Sequence, residues 1–329
     1  MNRRNVIALL GGMGAVYGVG LGAWAGERPR RIGMLIGMAD DQAGRVRIAT
    51  FKQKLADLGW AEGKNLQIDV RWTRGDLGCL RAYADELIAL QPDVLVGSSL
   101  PVTATLAQRT KTIPIVFLVV PDPVRNGFVV DQAKPDRNLT GFTNFEFSMG
   151  AKWLEVLRQI APGVSRLGLM FDPSAILHGR RYISSIMEAA RPSGLEVENL
   201  MVSSADDLEG AIARLGRGPD GGLIVLPDVS MVRHREAIVS LAARYGVPAV
   251  YPYRYFATSG GLVSYGIDTV DLYSRAAPYV DRILRGATPA DLPIQEPTRF
   301  ELVINLNVAK ALGLEIPPTL LACANEVLA

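Results

Sequence analysis

An α/β fold with two doubly wound parallel-sheet lobes is what this sequence predicts, and three features predict it. Short, continuously apolar runs alternate with amphipathic stretches along most of the chain. The runs end on Gly, Ser, Pro or Asp. The whole alternation occurs twice, in two arrays of similar size. Uninterrupted apolar runs are strands buried on both faces, and the amphipathic stretches are the helices that cover them. A length of 329 residues suits roughly two domains.

In the first array, strands are expected at 32–36, 66–72, 94–96 and 115–120. Between them, Val46, Ile48, Phe51, Leu55 and Leu58 recur at helical spacing, and Gly59 closes that helix. Helices follow at 77–90 and at 101–110, where Pro101 suits a first turn. The second array offers helices at 149–160, 179–190, 205–215 and 231–245, with strands at 166–171, 195–201, 222–226 and 247–251. The passage between arrays falls near 139–144. The tail mixes a strand at 262–265, a helix at 271–284, a Pro-rich extended stretch at 288–297, a strand at 300–304, a helix at 307–312 and a last helix from Pro317-Pro318 to about 328. Such a tail can cross back and tie two lobes together through a hinge of several linking segments. The expected division is 29–142 with about 262–292 in one lobe, and 143–261 with about 293–329 in the other.

The first 25 residues read as an address. Arg3 and Arg4 precede an uncharged apolar run from Val6 to about Leu21, and Ala23-Trp24-Ala25 supplies an A-x-A-like cleavage signal. The run is shorter than the ~20 residues of a spanning helix. The pattern predicts export with cleavage near Ala25, and the paired arginines leave both the general and the twin-arginine routes open. Glycines between Gly11 and Gly22 imitate a dinucleotide loop, but no strand precedes them and no acid follows at the right distance.

Composition excludes several classes. With 49% hydrophobic and 21% charged residues the chain is not disordered. Lys and Arg number 35 against 33 acids, and the leader takes two of the basic residues, so the body is neutral and unsuited to electrostatic nucleic-acid binding. Two cysteines exclude a disulfide scaffold, and two histidines leave little for a metal centre or a histidine triad. No G-x-S-x-G elbow and no metal-ligand spacing occurs, so no catalytic residue, metal or cofactor is expected.

In parallel sheets, ligands bind beyond the carboxyl ends of the strands. The candidate loops are therefore 37–41, 97–100 and 121–124 in the first lobe, and 171–174, 227–230 and 251–255 in the second. Ser98 and Ser99 precede a helix start, which favours an anion such as a carboxylate, while Ser99 also suits helix capping. Asp40, Asp122, Asp172 and Asp228 are acids that can accept an ammonium group or a hydroxyl. Asp122 also suits a turn and Asp228 a helix cap. Ser174 completes the Asp172-Pro173-Ser174 turn. Among the clustered rings Tyr251, Tyr253, Tyr255 and Phe256, Tyr251 stands nearest a strand end and is the first choice for packing a flat ligand.

Particular stretches carry a family resemblance. They are Arg31-Ile32-Gly33, Leu58-Gly59-Trp60 with Glu62-Gly63-Lys64-Asn65, Thr112 to Phe117, Asp122-Pro123-Val124 and Asn138-Leu139-Thr140-Gly141. Gly260 to Gly266 and Ala290-Asp291-Leu292-Pro293 follow, and most specific of all is Phe300 to Leu314 with Ile316-Pro317-Pro318. The chain resembles the substrate-binding proteins of bacterial ABC importers, in the family that includes tryptophan- and tyrosine-binding members. Departures are few: Cys323 stands where a basic residue is common, and Trp153 falls in a variable helix. The resemblance implies a type I periplasmic-binding fold, a small-molecule ligand held between two lobes that close on it, a periplasmic location and a membrane permease as partner. It also implies a binder that performs no chemistry. An amino acid or related carboxylate is the expected ligand, and the protein is expected to be a monomer. An exported α/β enzyme and a ligand-sensing module for a membrane receptor are the rival readings.

Overall fold

The structure is a computed structural model and describes residues 28–144 and 147–329. The export-signal reading of residues 1–25 lies outside the described residues.

The chain runs β1 (Arg30–Ile36), α1 (Gln42–Asp57), β2 (Leu66–Trp72), α2 (Leu80–Ala89), β3 (Val94–Ser98), α3 (Leu100–Arg109), β4 (Ile115–Val120) and β5 (Leu139–Thr143). Next come α4 (Met149–Ile160), β6 (Arg166–Phe171), α5 (Ile176–Ala190), β7 (Glu196–Met201), α6 (Ala205–Leu215), β8 (Gly221–Val225), α7 (Val229–Arg233), α8 (Arg235–Arg244), β9 (Ala249–Tyr251) and α9 (Arg254–Thr258). The tail is β10 (Val263–Ile267), α10 (Thr269–Leu284), β11 (Phe300–Asn305), α11 (Leu306–Ala311), α12 (Pro318–Cys323) and β12 (Glu326–Leu328).

The strands form two sheets. A five-stranded sheet has the order β2-β1-β3-β4-β5, all parallel, and a seven-stranded sheet has the order β12-β11-β10-β9-β8-β6-β7. The second is parallel except where β10 meets β11, with Val263 opposite Ile304. Strands β3 and β8 are buried at every position, as the unbroken apolar runs require when helices cover both faces. The fold is thus α/β with two lobes, each a doubly wound sheet.

The chain passes between lobes after β5, at Asp268 and at 292–300. Helix α10 belongs with the first sheet: the indole Nε1 of Trp60 donates to Asp281 Oδ1 at 2.7 Å. The 292–295 stretch runs beside β5, where Thr140 Oγ1 donates to the Leu292 carbonyl at 2.6 Å and Gln295 N donates to the Gly141 carbonyl at 3.0 Å. Gly141 has φ +152°, and a Cβ there would lie 2.1 Å from the Phe117 carbonyl oxygen. Only glycine lets β5 approach β4 this closely.

Four expectations need correction. The 139–144 stretch is a strand before it is a crossing, because its backbone completes the first sheet against β4. The strand at 262–265 belongs to the second lobe, paired with β9 and β11. Residues 231–245 form two helices that part at His234 rather than one. The last helix stops at Cys323, because Asn325 exchanges two hydrogen bonds with the Leu302 backbone and turns the chain into β12.

The lobes touch across their facing edges. Arg235 meets Asp41 at 2.9 Å and Arg181 meets Asp122 at 3.1 Å. The methylenes of Arg233 lie over Gly75, where a Cβ would be 3.1 Å from Arg233 Cδ. These contacts describe a closed arrangement. No helix among the described residues is long and apolar enough to cross a membrane.

Candidate functional site

A cavity of about 450 Å³ lies where the carboxyl ends of the two sheets face each other. The first lobe contributes the turn after β1 through Met38, the loop after β2 through Asp76 and Leu77, Ser98 and Ser99 after β3, and Val119 and Pro121 after β4. The second lobe contributes Phe171, Asp172 and Ser174 after β6, Leu226 to Ser230 after β8, Tyr253 and Tyr255 after β9, and Tyr182 from α5. Asn144 and Thr269 line it from the crossings.

Backbone strain gathers at this edge. Ser99 has φ +102°, Val119 φ +58° and Asp122 φ +41°. Non-glycine residues adopt such values at a cost of roughly 1–3 kcal/mol each, and a β-branched residue does so least readily. The Val119 kink coincides with the register shift between Leu118 and Val120, just before the last β4–β5 pair, Val120 with Thr143. The Ser99 conformation starts α3, a ten-residue helix whose first turn opens toward the cavity. Ser99 is buried and its Oγ has no hydrogen-bond partner among the described residues. A free hydroxyl at a helix start suits an anion, with Pro101 offering no N–H of its own.

The opposite wall carries two acids, Asp172 and Asp228, with Arg233 at its side. Asp228 caps α7, with Oδ1 accepting from Met231 N at 2.8 Å and Oδ2 accepting from Asp172 N at 3.0 Å. Burial pushes the Asp228 carboxyl up to about 6, against the pull of those N–H groups, and the Asp172 carboxylate adds to the rise. Asp172 in turn accepts the N–H and hydroxyl of Ser174 at 2.8 and 2.6 Å. Because folding raises the Asp228 value above its ordinary 3.8, the folded state holds the proton more tightly between about 4 and 6. That contribution to stability is complete below pH 4, is lost as pH rises toward 6, and stays lost above. Asp228→Asn removes the titration and keeps one of the two accepted bonds, through its single carbonyl oxygen, so only the pH dependence of the difference is read. The wild type, melted from pH 4 to 7, should therefore lose stability relative to this variant as pH rises. Parallel curves would show that Asp228 does not titrate in this window.

The cavity gathers Ser98, Ser99, Asp172, Ser174 and Asp228. It leaves out three expected residues. Asp40 turns to the surface and binds Arg45 at 2.8 Å, which holds its carboxyl below the usual range. Asp122 stands outside the lining, joined to Arg181 of the other lobe and to the Arg125 N–H. Tyr251 is 1% exposed in the core, stacked on Phe256 with centroids 5.1 Å apart, and so tight on Gly261 that a Cβ there would meet its ring at 2.6 Å. The chain turns after Tyr251, and it is Tyr253 and Tyr255 that reach the cavity. The sequence does not point to Tyr182, which lies within α5, or to Asn144, which follows β5, a stretch that reads as a passage between arrays and not as a strand.

Two sheets whose carboxyl ends enclose one cavity, crossed three times by the chain, define a two-lobed solute-binding protein. The family model described as ABC transporter substrate binding protein matches residues 40–328, and the chain belongs to this non-enzymatic family. It is similar to a tyrosine-binding protein of Clostridioides difficile (strain R20291), 26% identical over 266 residues that span 80% of this chain and 76% of that one. A conserved domain protein from Vibrio cholerae O1 biovar El Tor superposes with a TM-score of 0.83 at 26% identity, covering 91% of this chain and 100% of that one. An ABC domain from Streptococcus pneumoniae, solved in complex with L-Trp, has a TM-score of 0.82 at 24% identity with the same coverages and shares the fold.

Proposed function

We propose that this protein is the exported, periplasmic solute-binding component of an ABC importer and that it captures an α-amino acid with a large side chain, delivering it to a membrane permease. The observation that carries the reading is that one cavity brings a helix start with an unpartnered hydroxyl on one lobe opposite two carboxyl groups on the other. The first lobe offers the start of α3 with the unpartnered Ser99 hydroxyl, which suits a carboxylate. The second offers Asp172 and Asp228, which suit an ammonium group. Between them, Phe171, Leu226, Val229, Tyr253 and Tyr255 form apolar walls for a side chain. The relatives support the same ligand class, one being a tyrosine-binding protein and one having been solved with L-Trp. A zwitterion bridging both walls gains contacts from each only when the lobes are shut, so binding favours closure without chemistry.

A thermal-shift screen over the L-amino acids tests this. A true ligand at about 100 times its Kd stabilises by roughly 2.7 kcal/mol. An aromatic amino acid is expected to give the largest rise. No response to any amino acid would overturn the ligand class, and a radius of gyration unmoved by a stabilising ligand would overturn closure on binding.

A further inference from the structure

Two buried hydroxyls line the cavity without a hydrogen-bond partner among the described residues, and they stand on opposite lobes. One is Ser99 Oγ; the other is the phenol of Tyr182 on α5. Native structures leave few such groups, because a buried donor with nothing to bind costs about 1–3 kcal/mol. Ser99 is explained by the carboxylate above. Tyr182 is not.

Tyr182 is 2% exposed, and its ring is held from behind. Trp153 lies against it with centroids 5.5 Å apart, and Phe147 with centroids 5.0 Å apart. Trp153 is pinned in turn, its Nε1 donating to the Tyr265 carbonyl at 2.7 Å. Phe147 carries the Arg181 guanidinium on its face at 3.8 Å. The phenol therefore cannot swing away to find a partner elsewhere. The second-lobe lining includes the apolar Phe171, Leu226 and Val232, and the Tyr253 phenol lies close enough to act on the Tyr182 phenol electrostatically without bonding it. Burial also makes the phenol far harder to ionise than usual, so it acts as a neutral donor and acceptor.

We infer that Tyr182 is a specificity-determining residue: its hydroxyl receives the polar end of the ligand's side chain, so that the site favours a phenol or indole over a plain hydrocarbon of similar size. This rests on the amino-acid reading above. A site built to hydrogen-bond a side chain leaves its own polar group unpaired with the analogue that lacks one, whereas extra apolar surface discriminates only weakly.

The test is calorimetric titration of wild type and Tyr182→Phe with L-tyrosine, L-tryptophan and L-phenylalanine, together with the melting temperature of each protein without ligand. Wild type should bind the better of tyrosine and tryptophan at least about tenfold more tightly than phenylalanine, the worth of one hydrogen bond to a buried group. In Tyr182→Phe that ratio should collapse to within about threefold, with phenylalanine bound as well as before or better. The empty variant should melt no lower than wild type, since the deleted hydroxyl had no partner to lose. A wild type that binds phenylalanine equally well, a ratio that survives the substitution, or an empty variant that melts well below wild type each overturns the assignment. If amino acids bind without this discrimination, only the role of Tyr182 falls. If none of the three binds wild type, the amino-acid reading fails with it.

Discussion

Trp153→Ala is expected to lower the unfolding free energy by about 3–5 kcal/mol, read as a fall in the urea midpoint. The side chain is fully buried in α4, and truncation would leave a large void next to Tyr182. It would also strip the Tyr265 carbonyl of the indole N–H donor at 2.7 Å, and that carbonyl lies in β10, just ahead of the crossing at Asp268. Trp153→Phe refills much of the void and loses the donor, so it should cost less than half as much. The two effects separate packing from hydrogen bonding. An unchanged midpoint in Trp153→Ala would mean that α4 is not packed as described. A variant that still folds should also loosen its grip on Tyr182, and its preference among amino acids should weaken before its affinity for all of them does.

Arg47→Met should act in the opposite direction and stabilise the empty, closed form by about 1–4 kcal/mol, the range found when buried ionic groups give way to apolar ones of similar volume. Arg47 is 2% exposed, and no carboxylate among the described residues pairs with it. Its partners are Thr269 Oγ1 at 3.4 Å, Met38 Sδ at 3.6 Å and the face of Tyr255 at 5.5 Å, while its Nε has no hydrogen-bond partner among the described residues. Arg47 and Met38 belong to the first lobe and Tyr255 to the second. Shutting the lobes therefore takes a cation out of water without giving it an anion, and this resists closure in the absence of ligand. With methionine in its place, the ligand-free protein should show the smaller radius of gyration of the liganded one. It should also bind more tightly, because less of the binding energy goes into shifting the population. A ligand-free Arg47→Met protein that is more open, or less stable, than wild type would contradict this account.

The strands that were legible are those whose burial is dictated locally. Runs such as Val94 to Val96 and Ile115 to Val120 are apolar at every position, so a helix-covered parallel sheet follows from them directly. Strand β5 reads Leu-Thr-Gly-Phe-Thr and looks like a linker. It is nonetheless buried throughout, because residues 292–295, some 150 positions later, lie against its open edge. Strand β12 is three residues long and exists through its pairing with β11. Neither fact is contained in a local window. The site divides the same way. Its position followed from sheet geometry, and Ser98, Ser99, Asp172, Ser174 and Asp228 came with it. Which side chains enter the cavity depended on captures that no spacing rule supplies: Asp40 by Arg45, Asp122 by Arg181, and Tyr251 by Phe256. Tyr182 reaches the cavity from within a helix, through a tertiary stack that its own periodicity does not announce.

The interleaving of the two lobes along the chain also governs when each can be finished. The first sheet lacks one of its covering helices until residue 284 has been made, and the second lacks an edge strand until residue 328 has been made. A chain emerging in order from a ribosome can therefore complete neither half early. Both halves stay incomplete until these late segments have been made, and an incompletely folded polypeptide is one that can still be threaded through a narrow pore.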